Sequence, residues 1–203
     1  QSLCSAQLAS LPVNAFGGDG IPTDRSMVNS CVSGLTLGLK AHTRGNGNPA
    51  VTDNGLGTYF ASAGPDVSTS PPAVAGYATW NFGFYVGGAN AGQYSYRLRY
   101  DFDAASGNTG NLGTFSFGNM AYANSWNLGM SSFLAVPSLF FTPPTGPAFN
   151  PNAGGEYGFT LEAFSGQTLA MVSCNLCRLF EGVHDTRRVG LRIFTPFGNA
   201  ELS

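Results

Sequence analysis

The sequence predicts an all-β protein, an antiparallel β-sandwich of jelly-roll type in a single domain, and three observations carry that prediction. Several short runs alternate apolar and polar residues with period two, the pattern of a strand with one buried face. Twenty-eight glycines and twelve prolines punctuate those runs, marking many turns and long Gly/Pro/Asn-rich loops. Charged residues make up only 10% of the chain while aromatics reach 13%, a balance suited to a packed core and not to a disordered chain. A chain of 203 residues is long enough to bury roughly 70% of its unfolded surface in one such domain.

The elements follow in order. Residues 1–30 read as a loop-like N-terminal segment, with Gly17-Gly18-Asp19-Gly20 and Ile21-Pro22-Thr23-Asp24 as successive turn signals. From Ser33 to Ala41 the chain alternates cleanly, with Leu35, Leu37 and Leu39 on one face, and predicts a half-buried strand with His42 at its exposed end. A turn-rich stretch leads to a short strand at Thr58 to Ala61, then to a Ser/Pro/Gly loop over 64–72. Tyr77 to Val86 sets Trp80, Phe82 and Phe84 on one face. Gln93 to Asp103 alternates Tyr94, Tyr96, Leu98, Tyr100 and Phe102 with polar positions, and the glycines between the two runs predict an antiparallel hairpin. Gly113 to Phe117 is a further short strand, and Ala121 to Phe133 reads as a helical turn or an irregular crossover. Ser138 to Phe141 is apolar and stops at Pro143-Pro144. Glu156 to Phe164, with Tyr157, Phe159 and Leu161 on one face, pairs with Thr168 to Val172 across Ser165-Gly166, and further short strands are expected within Arg188 to Phe194. The segment 170–203 is richer in cysteine and arginine than the rest.

A net charge of −2 and a single lysine, Lys40, leave no basic patch for nucleic acid. No apolar run reaches the 18 or so residues of a membrane helix. A start at Gln1-Ser2 and an abundance of Asn, Gly, Ser and Thr suit the mature form of a secreted protein. In an oxidising compartment the four cysteines are expected to pair as Cys4 with Cys31 and Cys174 with Cys177. The first bridge would tie down the N-terminus, contributing about 3–4 kcal/mol in the chain-entropy account. The two-residue spacing of Cys174 and Cys177 also admits a redox or a zinc reading.

The segments A-F-G-G-D-G-I-P-T-D (15–24), S-G-L-T-L-G-L (33–39), A-V-T-D-N-G-L-G-T-Y-F-A (50–61), A-T-W-N-F-G-F-Y-V (78–86), Y-S-Y-R-L-R-Y-D-F-D (94–103) and F-N-P-N-A-G-G-E-Y-G-F-T-L-E-A-F (149–164) come in an order that resembles exported bacterial proteins of the PEP-CTERM class. That resemblance implies a β-rich mature domain associated with the cell surface or extracellular matrix. The Pro-Glu-Pro sorting tail of the class does not occur in this sequence.

Calcium is the cofactor the residues suggest. Asp101 and Asp103 stand two apart at a strand end, followed by Ser106, Gly107 and Asn108, and such a loop can supply the six to eight hard oxygens the ion takes. Asp19, Asp24 and Asp53 are further metal candidates, although Asp and Asn with glycine also make turns through their own side chains. His184-Asp185 is the one adjacent His/Asp pair and, with Glu156, the candidate for acid–base catalysis. Asp101 with Asp103, or Glu156 with Glu162, are the candidate carboxylate pairs for glycoside hydrolysis. Trp126, Tyr122 and Trp80 are the aromatics that would stack on a sugar ring. The leading expectation is an extracellular, calcium-stabilised β-sandwich that binds polysaccharide or a surface. The alternative is a calcium-dependent hydrolase of a small ester, a lactone such as an acyl-homoserine lactone, or a glycoside.

Overall fold

The computed structural model of the chain describes residues 6–18, 20–107, 110–134, 138–174 and 191–195. In chain order the strands are β1 (Gln7–Ala9), β2 (Ser26–Asn29), β3 (Thr36–Thr43), β4 (Thr52–Asp53), β5 (Thr58–Phe60), β6 (Trp80–Gly87), β7 (Ser95–Tyr100), β8 (Gly113–Phe117), β9 (Tyr122–Trp126), β10 (Phe141–Thr142), β11 (Gly155–Ser165), β12 (Thr168–Cys174) and β13 (Leu191–Thr195). One four-residue helix, α1 (Ser131–Leu134), follows β9. No helix among the described residues is long and apolar enough to cross a membrane.

The fold is an all-β sandwich. A five-stranded sheet runs β1-β2-β3-β6-β9, and an eight-stranded sheet runs β10-β8-β7-β11-β13-β5-β4, with β12 also paired to β11. The pairings are antiparallel except that β13 lies parallel to β5. The alternating apolar residues of both sheets meet between the layers. Phe82 lies 4.3 Å from Phe159 and Trp80 5.4 Å from Tyr157, centroid to centroid. Leu35, Leu37 and Leu39 join this core as the alternation predicts.

Three expectations are corrected. The aromatic runs over 77–103 do not form a hairpin, because β6 pairs with β3 and β9 while β7 pairs with β8 and β11. The strands face each other across the core, which satisfies the same alternation. The connection between them carries a 3-10 turn over Ala91–Gln93, longer than a tight hairpin needs, and Asn90 pins it to the β2–β3 turn through Gly34 O (2.7 Å) and Ser33 O (2.9 Å). Second, the N-terminal segment contains β1 and β2, and all four residues of β2 are buried.

Third, β3 is buried on both faces, and His42 is fully buried instead of exposed. The cause lies in the N-terminal segment, which folds over the outer face of the five-stranded sheet and builds a second apolar cluster from Leu11, Ala15, Phe16 and Val28. Two glycines permit this approach. A Cβ on Gly38 would lie 2.5 Å from Leu11, and one on Gly83 2.5 Å from Phe16.

Candidate functional site

The metal candidates are engaged locally. Asp101 Oδ1 accepts the Asp103 N–H (2.8 Å), and Asp103 Oδ1 accepts the Ala105 N–H (2.9 Å), so both carboxylates close the turns that end β7. Asp53 accepts from the Arg25 Nε (2.5 Å) and the Gly55 N–H, and the bond from Arg25 holds its carboxyl below the usual range. Asp24 is exposed and takes the Lys40 ammonium on its backbone oxygen and on Oδ1 (3.3 Å). Among the described residues no three His, Cys, Asp or Glu side chains come together in a metal-binding group. Asp19 and Asn108 lie outside the described residues, as do His184 and Asp185.

The aromatic candidates serve the core. Trp80 is 1% exposed. Trp126 sits 4.8 Å from Phe84 and 4.9 Å from Phe115, and Tyr122 5.4 Å from Phe117, so both close the open edge of the sandwich as half-buried packing residues. Glu156 and Glu162 share one face of β11 six residues apart, about 20 Å along an extended strand. That separation is about twice the widest spacing at which paired carboxylates hydrolyse a glycoside. Among the described residues Cys31 is a free, exposed thiol whose Sγ donates to Asn29 Oδ1 (2.9 Å). Cys4 and Cys177 lie outside the described residues, and Cys174 ends β12.

The polar groups that do converge lie on the outer faces of the two sheets, and alternation alone did not show which would be neighbours. On the five-stranded sheet, β3 contributes Lys40 and His42, β6 contributes Asn81, and β9 contributes Ser125. The His42 Nδ1–H donates to Thr43 O (2.8 Å), and His42 Nε2 accepts from the Ser125 hydroxyl (2.7 Å). Asn81 Nδ2 donates to the same Ser125 Oγ (3.3 Å), while Asn81 Oδ1 accepts from Asn127 Nδ2 (2.9 Å). Asn127 is fully buried and also bonds Ala78 O and Trp80 O, so its orientation is fixed from several sides. Burial, with a lesser push from the Lys40 charge, takes the His42 pKa down to about 4. Burial likewise pulls the Lys40 ammonium below the ordinary lysine value, against the opposing pull of Asp24.

On the eight-stranded sheet, Arg97 and Arg99 of β7 flank Glu162 of β11. Arg97 Nε reaches Glu162 Oε2 at 2.6 Å and Arg99 Nε at 3.1 Å. Glu162 is buried, and the three charges sum to +1. The Arg97 guanidinium also lies 4.8 Å over the Phe164 ring. Beside it runs an open groove of about 580 Å³, lined by Ser95, Arg97, Ser116, Leu139, Phe140 and Phe164 among others. Leu139 and Phe140 are 89% and 55% exposed, an apolar rim against a guanidinium. The strand pattern places Arg97, Arg99 and Glu162 on outward positions, but the β7–β11 register that makes them neighbours is a tertiary fact.

A smaller recess of about 270 Å³ lies at the end of β3, lined by Arg44, Asn46, Asp66 and Ser68 among others. Its charges are spent on one another. Arg44 pairs with Asp66 and donates to Ser68 Oγ, and Asp66 also accepts the N–H groups of Ser68 and Val74. No protein-family model matches the chain, and comparisons with curated proteins and with solved structures gave no match.

Proposed function

We propose that this chain is an exported, matrix-associated binding module whose ligand is a carboxylated polysaccharide, held in the groove on the outer face of the eight-stranded sheet. One observation carries the reading. Arg97 stands a third exposed between a buried counter-charge and an apolar rim. Glu162 balances one of the two arginines and the other charge faces solvent, so the groove attracts an anion. Phe140 and Phe164 offer flat apolar surface to the C–H faces of a sugar ring, and Ser95 and Ser116 supply hydroxyls at its floor. A hydrogen bond to a charged group is worth roughly 1.5–3 kcal/mol, enough to separate a uronic acid from its neutral analogue by tenfold or more.

Titration calorimetry with an oligogalacturonate and with a neutral oligosaccharide of the same length tests this. The wild type is expected to prefer the carboxylated chain, and Arg97→Gln to weaken that binding at least tenfold. Glu162 keeps Arg99 as its partner in that variant, so the fold has no new uncompensated charge. Equal binding by wild type and Arg97→Gln, or no binding of either sugar, would overturn the proposal.

A further inference from the structure

The network on the opposite sheet has the parts of a nucleophilic site, and the groove does not use it. We propose that Ser125 is an acyl-accepting nucleophile for small esters, with His42 as its base and Asn81 as the donor to the oxyanion.

Three features support the assignment. Thr43 O can only accept a hydrogen bond, so the His42 proton resides on Nδ1 and Nε2 carries the lone pair aimed at Ser125 Oγ, 2.7 Å away. That is the tautomer a general base for a serine requires, fixed by a third group. Next, Asn127 holds Asn81 Oδ1 and so turns Nδ2 toward Ser125, placing an amide donor beside the oxygen that would attack. Third, access is asymmetric. His42 is fully buried with its Nε2 on the Ser125 hydroxyl, whereas Ser125 is part-exposed on β9 at the edge of the sheet. Its register partner Gly83 lies under the Phe16 ring, so an apolar side chain packs on the strand beside the hydroxyl. The residues come from strands distant in sequence, and no local motif announces them.

The chemistry balances without a cofactor. Ser125 Oγ bonds to the acyl carbon as its proton passes to His42 Nε2, and the oxyanion takes the second N–H of Asn81 Nδ2. The carbon–oxygen bond to the leaving alcohol then breaks, and His42 returns the proton to that oxygen. Water entering from the exposed side of Ser125 passes a proton to His42 Nε2 as it attacks the acyl carbon. The bond from that carbon to Ser125 Oγ breaks, and His42 returns the proton to Oγ as the carboxylic acid leaves.

A fluorophosphonate probe with intact-mass and peptide mapping, together with p-nitrophenyl acetate hydrolysis, tests this on the full chain. The wild type is expected to take one adduct, on Ser125, and to hydrolyse the ester at least 100-fold faster than Ser125→Ala, which loses the adduct. Ser125→Ala takes the partner from His42 Nε2 but leaves the strand pairing of β9 intact, so its circular dichroism should match the wild type. Asn81→Ala should keep the adduct but turn over more slowly. A folded wild type that gains no adduct at Ser125, or whose hydrolysis is unchanged in Ser125→Ala, would refute the assignment.

Discussion

His42 illustrates how a single buried residue makes the fold sensitive to pH. Its imidazole is fully buried, with both nitrogens hydrogen-bonded, and its pKa falls to about 4 from an ordinary 6.5. Lys40 on the same strand is the charged group that bears on it, while β6 and β9 face it with Asn81 and Ser125, which do not titrate in this range. The sign follows from linkage. Above pH 6.5 the ring is neutral in both states and the stability is fully present. As the pH falls, the unfolded chain gains a proton near 6.5 that the folded chain refuses until about 4, and stability is lost across that window. A depression of this size is worth about 3 kcal/mol. Urea unfolding from pH 7.5 to 4 should therefore show that loss, and His42→Gln should flatten the slope. An unchanged slope in the variant would assign the loss to other groups.

The element that decides which faces are buried is the N-terminal segment. Its Phe16 ring occupies the space where Gly83 has no side chain, and Leu11 does the same over Gly38. A methyl group on Gly83 would meet Phe16 Cδ1 at 2.5 Å and Cγ at 2.8 Å, closer than real contacts allow. Overpacking of this kind costs about 1–3 kcal/mol. Gly83→Ala should destabilise by that amount in the wild type and by much less in a Phe16→Ala background, since the clash partner is then gone. A double-mutant cycle by urea denaturation measures the coupling. Additive costs would mean that Phe16 does not hold the segment against β6.

At the scale of the whole molecule, the two sheets are joined by one aromatic core and are expected to unfold as one unit. Phe82 lies at its centre, fully buried and within 4.3 Å of Phe159 on the opposite sheet, with Phe133 at 5.9 Å and Trp126 at 6.4 Å. Truncation to alanine there typically costs about 3–5 kcal/mol. Phe82→Ala should lower the unfolding midpoint accordingly, while far-ultraviolet dichroism and the fluorescence of Trp80 and Trp126 still report one coincident transition. Two separated transitions would show that the sheets are independent units. The sandwich also explains why the two polar constellations lie apart. Each occupies the outer face of a different sheet, with the core between them.

The period-two alternation of aromatics, the density of glycine and proline and the low charge determined that this is a β-sandwich, because those features act locally on each strand. They also determined the inner residues of β3, β6, β7 and β11. Only the tertiary structure decided that β6 and β7 belong to different sheets, since an alternating strand pairs equally well beside its neighbour or opposite it. The same holds for the sites. Alternation placed Arg97 and Glu162 on outward positions, whereas the stretch that carries Ser125 read as a helical turn or an irregular crossover and is the strand β9. Hydrogen bonds and ion pairs join residues through strand register, and register is fixed by how distant segments pack. Trp80, Trp126 and Tyr122 had the composition of a sugar platform, yet the core took them, because burying large aromatic surface stabilises the fold more than leaving it in water.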